Sequence, residues 1–231
     1  MITTPRWLWR FKPGKVRSIS VGLPREVQWK GRTVSTAIFK EPVSGPVQLH
    51  QFNLEGDQQA DLSVHGGPTK VVYAYPCEHY AYWRSELPDV ELDWGMFGEN
   101  LTTEGLDEES VHIGDVFQLG TARLVVTEPR MPCFKLTIRF DREDMAQRFL
   151  LSQRSGFYFG VEQEGTVEAG DRFKLLSADP QGLKVADVVR LKTTDRDNTV
   201  LLSKAVATAA LPDGWKGSFR RRLERIKTTG I

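Results

Sequence analysis

The sequence predicts a mainly β fold with a few peripheral helices, followed by a small helical module at the C-terminal end. Three observations lead there. Short runs rich in β-branched residues alternate at period two through most of the chain. Residues 111–119, VHIGDVFQL, and residues 167–175, VEAGDRFKL, repeat one V-x-x-G-D-x-F-x-L frame. Each copy predicts a Gly-Asp turn feeding a strand whose Phe and Leu share a face, which is how a barrel or sandwich wall is assembled from hairpins. Past Leu176 the composition changes: SADPQG reads as a linker, and helical periodicity follows it. The expected division is a β domain over 1–178 and a three-helix domain over 183–228.

In chain order, residues 15–21, 33–39 and 47–52 read as strands, the last two separated by the turn-rich KEPVSGP. Gly56-Asp57 predicts a tight turn, and residues 71–75 predict a strand. Pro76 then suits the first turn of a helix over 76–87 that includes Cys77 and sets Tyr80, Trp83 and Leu87 on one face. The run TARLVVT predicts a strand that ends in EPRMPCFKL, because proline cannot continue a central ladder. Asp141 is the expected N-cap of a helix holding Met145 and Phe149, with Gly156 ending that segment. The C-terminal module reads as helices over 185–191, over 199–209 behind Asp197 or Asn198, and over 215–226 with Trp215, Phe219, Leu223 and Ile226 in one stripe. A module this small needs the β domain or a partner to cover that stripe.

The chain has 231 residues, 40% of them apolar, and a formal net charge of +1. That balance points to neither a nucleic-acid nor a membrane partner. Trp7, Leu8, Trp9 and Phe11 are interrupted by Arg6, Arg10 and Lys12, too broken for a signal segment, and no later apolar run reaches membrane-spanning length. The expected location is cytoplasmic. The only cysteines are Cys77 and Cys133, expected as free thiols there.

Cys133 is the candidate reactive group. Pro129 and Pro132 flank it on a stiff turn, and Arg130 and Lys135 stand close in sequence. Nearby cations favour thiolate, the form that attacks electrophiles or ligates a soft metal, whereas a lone cysteine is otherwise a small buried hydrophobe. Cys77, without basic neighbours, reads as structural. A second candidate is the loop around His65, where Asp61, Gly66, Gly67 and Lys70 are the ingredients of a small anion site, although no P-loop or dinucleotide spacing is present. The loop GMFGENL offers Glu99 and Asn100 between adaptable glycines. His79 and His112 lack metal spacing. The cluster Arg220, Arg221, Arg222, Arg225 and Lys227 reads as a solvated helix face.

Taken together and in order, LEGDQQADLSVHGGPTKVVYAYPCEHYAYW, FGENLTTEGL, VHIGDVFQLG and EPRMPCFKL resemble the MOSC family, the domain named for the C-terminal part of molybdenum cofactor sulfurases, and specifically its YiiM-type branch with a three-helix tail. The resemblance implies a MOSC-type β-barrel that binds the molybdenum cofactor, a molybdenum-bearing molybdopterin, with Cys133 as the metal ligand. It also implies an oxidoreductase acting on N-hydroxylated compounds, among them N-hydroxylated purine bases such as 6-N-hydroxylaminopurine, for detoxification. Carried onto this chain, His65 and Glu99 join Cys133 as catalytic candidates, His65 as proton donor and Glu99 as the alternative acid. Gly66, Gly67, Lys70, Asn100, Arg130 and Lys135 become cofactor-binding candidates, suited to a phosphate by charge and by backbone N–H groups. The resemblance further implies electrons from a separate redox protein, and the chain agrees with it in showing neither a cluster-ligating cysteine set nor a dinucleotide fingerprint. Two other classes stay open: a sulfur-carrier or cofactor-delivery protein using a Cys133 persulfide, and a binding module in which Cys133 is only packed.

Overall fold

A computed structural model describes residues 14–61 and 66–229. The alternating runs become strands β1 (Lys15–Val21), β2 (Arg25–Trp29), β3 (Arg32–Thr36), β4 (Glu41–Val43), β5 (Val47–Leu49), β6 (Val72–Pro76), β7 (Leu101–Glu104), β8 (Val116–Leu119), β9 (Ala122–Pro129), β10 (Phe157–Gln163), β11 (Gly165–Val167) and β12 (Lys174–Ser177). Helix α1 (Glu78–Glu86) follows β6, and α2 (Phe134–Phe140) and α3 (Met145–Ser152) separate β9 from β10. Helices α4 (Val185–Lys192), α5 (Thr199–Ala207) and α6 (Asp213–Thr229) form the tail. None of the described helices is long and apolar enough to cross a membrane.

Eight strands make one sheet in the order β12-β8-β9-β10-β6-β7-β1-β4, antiparallel except where β6 pairs with β7. That one parallel pair requires a crossover, which α1 and the loop after it supply. The sheet curls into a half-barrel. Its two ends approach where Val16 N donates to Asp171 O at 2.9 Å and Phe173 N donates to Gly14 O at 2.9 Å, just ahead of β12. The echoed frames pair with each other, β8 against β12, with Phe117 opposite Leu175. The repeat is thus a wall built from two copies of one turn-and-strand unit.

Several expectations shift. The strand expected over 33–39 stops at Thr36, whose Oγ1 accepts from Ile38 N at 3.2 Å and turns the chain toward a cleft. Pro76 closes β6 instead of opening a helix: it stands opposite Thr103, and Cys77, whose N donates to Thr103 O at 2.6 Å, takes the N-cap position of α1. A proline with no N–H to give is tolerated at a strand end as readily as in a first helical turn. Asp141 caps the C-terminus of α2 in the left-handed region, φ 49°, a conformation short polar residues tolerate, and α3 starts after Asp144. Strand β2 shows no fully buried position, so no core-facing alternation announced it. In the tail the Asn198 side chain does cap α5, accepting from Leu201 N at 3.0 Å.

Val188, Leu191, Leu202, Leu211 and Phe219 of the tail are buried in the same hydrophobic cluster as Leu124, Phe157 and Phe173 of the sheet, with Trp215, Leu223 and Ile226 packed against it. The β domain therefore covers the tail's apolar stripe. A shared core of this kind unfolds as one unit. Val188→Ala is expected to cost about 2 kcal/mol from lost burial and the cavity left behind. Chemical denaturation followed by circular dichroism checks this, with a single transition expected for sheet and tail.

Candidate functional site

The residues between β3 and β4, the turn after β5, and the chain from Pro129 to Lys135 converge on one cleft at the mouth of the half-barrel. Its cavity is small, about 100 Å³, and open to solvent, and Lys40, Asp57, Lys70, Tyr73, Arg130, Cys133, Lys135 and Tyr158 are among its lining residues. Cys133 is half-buried there. Strand β9 carries the chain through Pro129 opposite Phe157, the following residues leave the ladder, and Cys133 takes the extended N-cap conformation ahead of α2, φ −130° and ψ 170°.

Behind the thiol lies Arg130, 6% exposed, its guanidinium 4.9 Å from the Tyr73 ring centroid and 5.1 Å from that of Phe149. Its Nη1 is buried without a hydrogen-bond partner. Burial alone would pull this group down, but the phenols of Tyr73 and Tyr158 and the Cys133 sulfur more than offset it, so the guanidinium is held above its ordinary range. Desolvation pushes Tyr158 up to about 12 against the opposing pull of Arg130, which leaves a neutral phenol as part of the wall.

Lys40 and Asp57 form a buried ion pair on the other side. Asp57 is also held by Gly22 N at 2.8 Å and by Asn100 Nδ2 at 2.9 Å. Burial pulls the Lys40 ammonium below its usual range against the pull of Asp57. Asn100 clamps the neighbouring strands: its Oδ1 accepts from Tyr73 N at 3.1 Å, its N donates to Tyr73 O at 2.8 Å and its O accepts from Ser20 N at 2.7 Å. The glycines of GMFG permit this approach. Gly95 and Gly98 adopt φ 88° and 78°, and a Cβ on Gly98 would stand 2.9 Å from Ile38.

Of the residues singled out from sequence, Cys133, Lys70, Arg130, Lys135 and Asn100 meet at this cleft. Gly66 faces an adjoining cleft that shares Lys70, and Gly67, at φ 90°, makes the turn in which Lys70 N donates to Gly67 O at 3.2 Å. His65 lies outside the described residues, as do Trp7, Leu8, Trp9 and Phe11. Glu99 is fully buried away from the cleft lining, and its carboxylate accepts from Tyr80 Oη, Gly95 N at 2.9 Å, Phe97 N at 3.1 Å and Thr102 Oγ1 at 3.0 Å. Those bonds make it the knot of the GMFG turn. Glu99→Gln turns one acceptor into a donor facing these N–H and O–H groups, and a fall in stability of about 1–3 kcal/mol is expected in thermal unfolding. Sequence reasoning missed Lys40, Asp57, Tyr73 and Tyr158. The lysine closing the apolar run AIF was the one local sign of Lys40, and its pairing across 17 positions with Asp57 leaves no periodic trace.

A curled mixed sheet with a cysteine-bearing basic cleft at its mouth, followed by a packed three-helix tail, defines the class. Residues 61–174 match the MOSC domain and residues 185–225 the YiiM-like, 3-alpha helix domain. The protein is 40% identical to the uncharacterized protein YflK of Bacillus subtilis over 91% of this chain and 95% of the relative. It is 35% identical to protein YiiM of Escherichia coli over 90% of this chain and 89% of the relative. A Gibberella moniliformis protein called a reductase is 36% identical over 78% of this chain and 32% of the relative. The crystal structure of YiiM from Geobacillus stearothermophilus superposes with a TM-score of 0.76 at 33% identity, covering 91% of this chain and all of that one. The chain belongs to the MOSC family, in its YiiM-type branch. MOSC domains are associated in general with binding the molybdenum cofactor.

Proposed function

We propose that this protein is a molybdenum-cofactor-dependent reductase of N-hydroxylated compounds, including N-hydroxylated purine bases, that works in the cytoplasm and takes electrons from a separate redox protein. The observation that carries this reading is the half-buried Cys133 thiol in a cleft with Lys40, Lys70, Arg130 and Lys135. The residues fit the cofactor. A thiolate is the soft ligand molybdenum wants. The unpartnered Nη1 of the buried Arg130 is a donor awaiting an acceptor such as a phosphate oxygen. Lys70 and Lys135 complete the cationic wall, and Asn100 keeps Lys40 and Asp57 in register with it. The reductase named among the relatives agrees with this class of reaction.

A molybdenum cofactor held by Cys133, Arg130, Lys70 and Lys135 would supply the two electrons that reduce the substrate nitrogen. The N–O bond breaks, nitrogen takes up the two electrons and one proton from solvent to become an amine, and the hydroxyl leaves as water on taking a second proton. His65 is the proposed donor of that proton, because imidazole titrates in the working range. The neutral Tyr73 and Tyr158 rings wall the cleft and restrict water. The test is turnover of 6-N-hydroxylaminopurine by protein purified from a host that makes the cofactor, with reduced viologen as electron source. One adenine per two electrons consumed is the expected result. Absence of adenine from cofactor-loaded protein would sink the proposed substrate class. A cyanide-labile sulfur on Cys133 in place of molybdenum would favour sulfur transfer instead.

A further inference from the structure

Glu128 sits one residue ahead of the Pro129–Cys133 turn, 3% exposed, and its two oxygens face different parts of the protein. Oε1 accepts from Thr69 Oγ1 at 3.0 Å, and Oε2 accepts from Trp215 Nε1 at 2.8 Å. Lys70 Nζ stands 3.9 Å from Oε2, and Lys70 lines the Cys133 cleft. Thr127 Oγ1 adds a hydrogen bond to Thr69 O at 2.5 Å, so β9 grips the segment that leads into Lys70 from two consecutive positions of its own register. Trp215 comes from α6 in the tail, where its ring lies 5.8 Å from that of Phe219 in the shared core and carries the Lys192 ammonium 4.9 Å from its centroid. Gly66, Thr69, Lys70, Glu128, Lys192 and Trp215 line the adjoining cleft where tail and half-barrel meet.

We propose that Trp215 is a positioning residue through which the tail completes the Cys133 site: its indole N–H fixes Glu128, and Glu128 in turn fixes Thr69 and Lys70 at the cleft wall. The physical reason is directional. A buried carboxylate with one oxygen tied to a rigid aromatic donor cannot rotate, so the other oxygen offers Thr69 a fixed acceptor. Removing the indole N–H frees the carboxylate to turn toward Lys70 and loosens Thr69. The tail then acts as more than a cover for apolar surface. This bears on function through the reading of the Cys133 cleft given above, but the contact network itself stands independently of what the cleft binds.

The test is hydrogen exchange by mass spectrometry on the full chain, comparing wild type, Trp215→Phe, Glu128→Gln and the double variant. Phenylalanine keeps an aromatic ring near Phe219 and Lys192 and removes the N–H together with part of the indole, so Glu128→Gln, which leaves Trp215 whole, separates the hydrogen bond from packing. The amides to follow are those of Lys70 and Val71, which donate to Gly67 O and Phe159 O. Each single variant is expected to speed their exchange about tenfold, the scale set by losing one charge-assisted hydrogen bond. The double variant is expected to exchange no faster than Glu128→Gln alone, because both act through one contact. Unchanged exchange at Lys70 and Val71, or effects that multiply in the double variant, would overturn the proposal. So would acceleration spread equally over α4 to α6, since Trp215 would then serve tail packing only. Fluorescence of the oxidised pterin released from each protein supplies the second arm, with lower retention expected in Trp215→Phe. A wild type that carries no pterin would instead count against the proposed cofactor while leaving the exchange result to judge the relay.

Discussion

Cys133→Ala is expected to lower reduction of an N-hydroxylated base by more than about 100-fold, since even the outer partners of metal ligands are worth 10–100-fold and this residue is the proposed ligand itself. The same change should leave stability nearly untouched. Cys133 is half-buried, and its main tie to the fold is a backbone one, Leu136 N donating to Cys133 O at 3.0 Å, which alanine preserves. Pterin should be retained in part, because Arg130, Lys70 and Lys135 remain. Cys77→Ala is the natural control. Burial, reinforced by the Glu78 carboxylate, pushes that thiol up to about 11, so it stays protonated and unreactive near neutral pH. Turnover equal to wild type is expected for it. Steady-state kinetics on the two variants, with unfolding midpoints measured alongside, separates the two cysteines.

Asp57→Ala is expected to destabilise the fold by about 3–5 kcal/mol, the usual consequence of leaving one partner of a buried ion pair unpaired. Lys40 would lose its counter-ion in a low-dielectric wall that already pulls its ammonium below the usual range, and Gly22 N and Asn100 Nδ2 would lose their acceptor at the same time. Lys40→Met is the informative companion: it removes the cation while the two remaining donors still satisfy Asp57, so its cost is expected to be clearly smaller. Urea unfolding of the two variants provides the comparison. Equal costs would mean that Asp57 matters only as the partner of Lys40 and not as the junction between β1, the turn after β5 and Asn100.

Much of the architecture was legible because it is written at short range. The Gly-Asp frames gave two strands that turn out to be each other's partners, and the stripe Trp215, Phe219, Leu223 and Ile226 gave a helix whose buried face the sheet covers. Where proline and aspartate were read, the residue type was right for a boundary but its direction was not: Pro76 ends a strand and Asp141 ends a helix, since both residues suit the termini of more than one element. The site divided along the same line. Cys133, Arg130 and Lys135 lie within a few residues of one another, so the turn that joins them was visible. Lys40 with Asp57, and Trp215 with Glu128, are separated by 17 and 87 positions and meet only because the sheet curls. Glu99 looked like a cleft acid because a carboxylate between glycines resembles one, and only its four donors reveal a turn held together from inside.

Everything functional here depends on a thiol that anchors a metal while the cations beside it hold the rest of the same ligand. Molybdenum and pterin contents per chain, determined together on wild type and Cys133→Ala from one cofactor-producing host, test that most directly. About equal amounts of both are expected in wild type, and in the variant a loss of molybdenum that exceeds the loss of pterin. Wild-type protein with neither component, or a variant that keeps its full molybdenum complement, would contradict it.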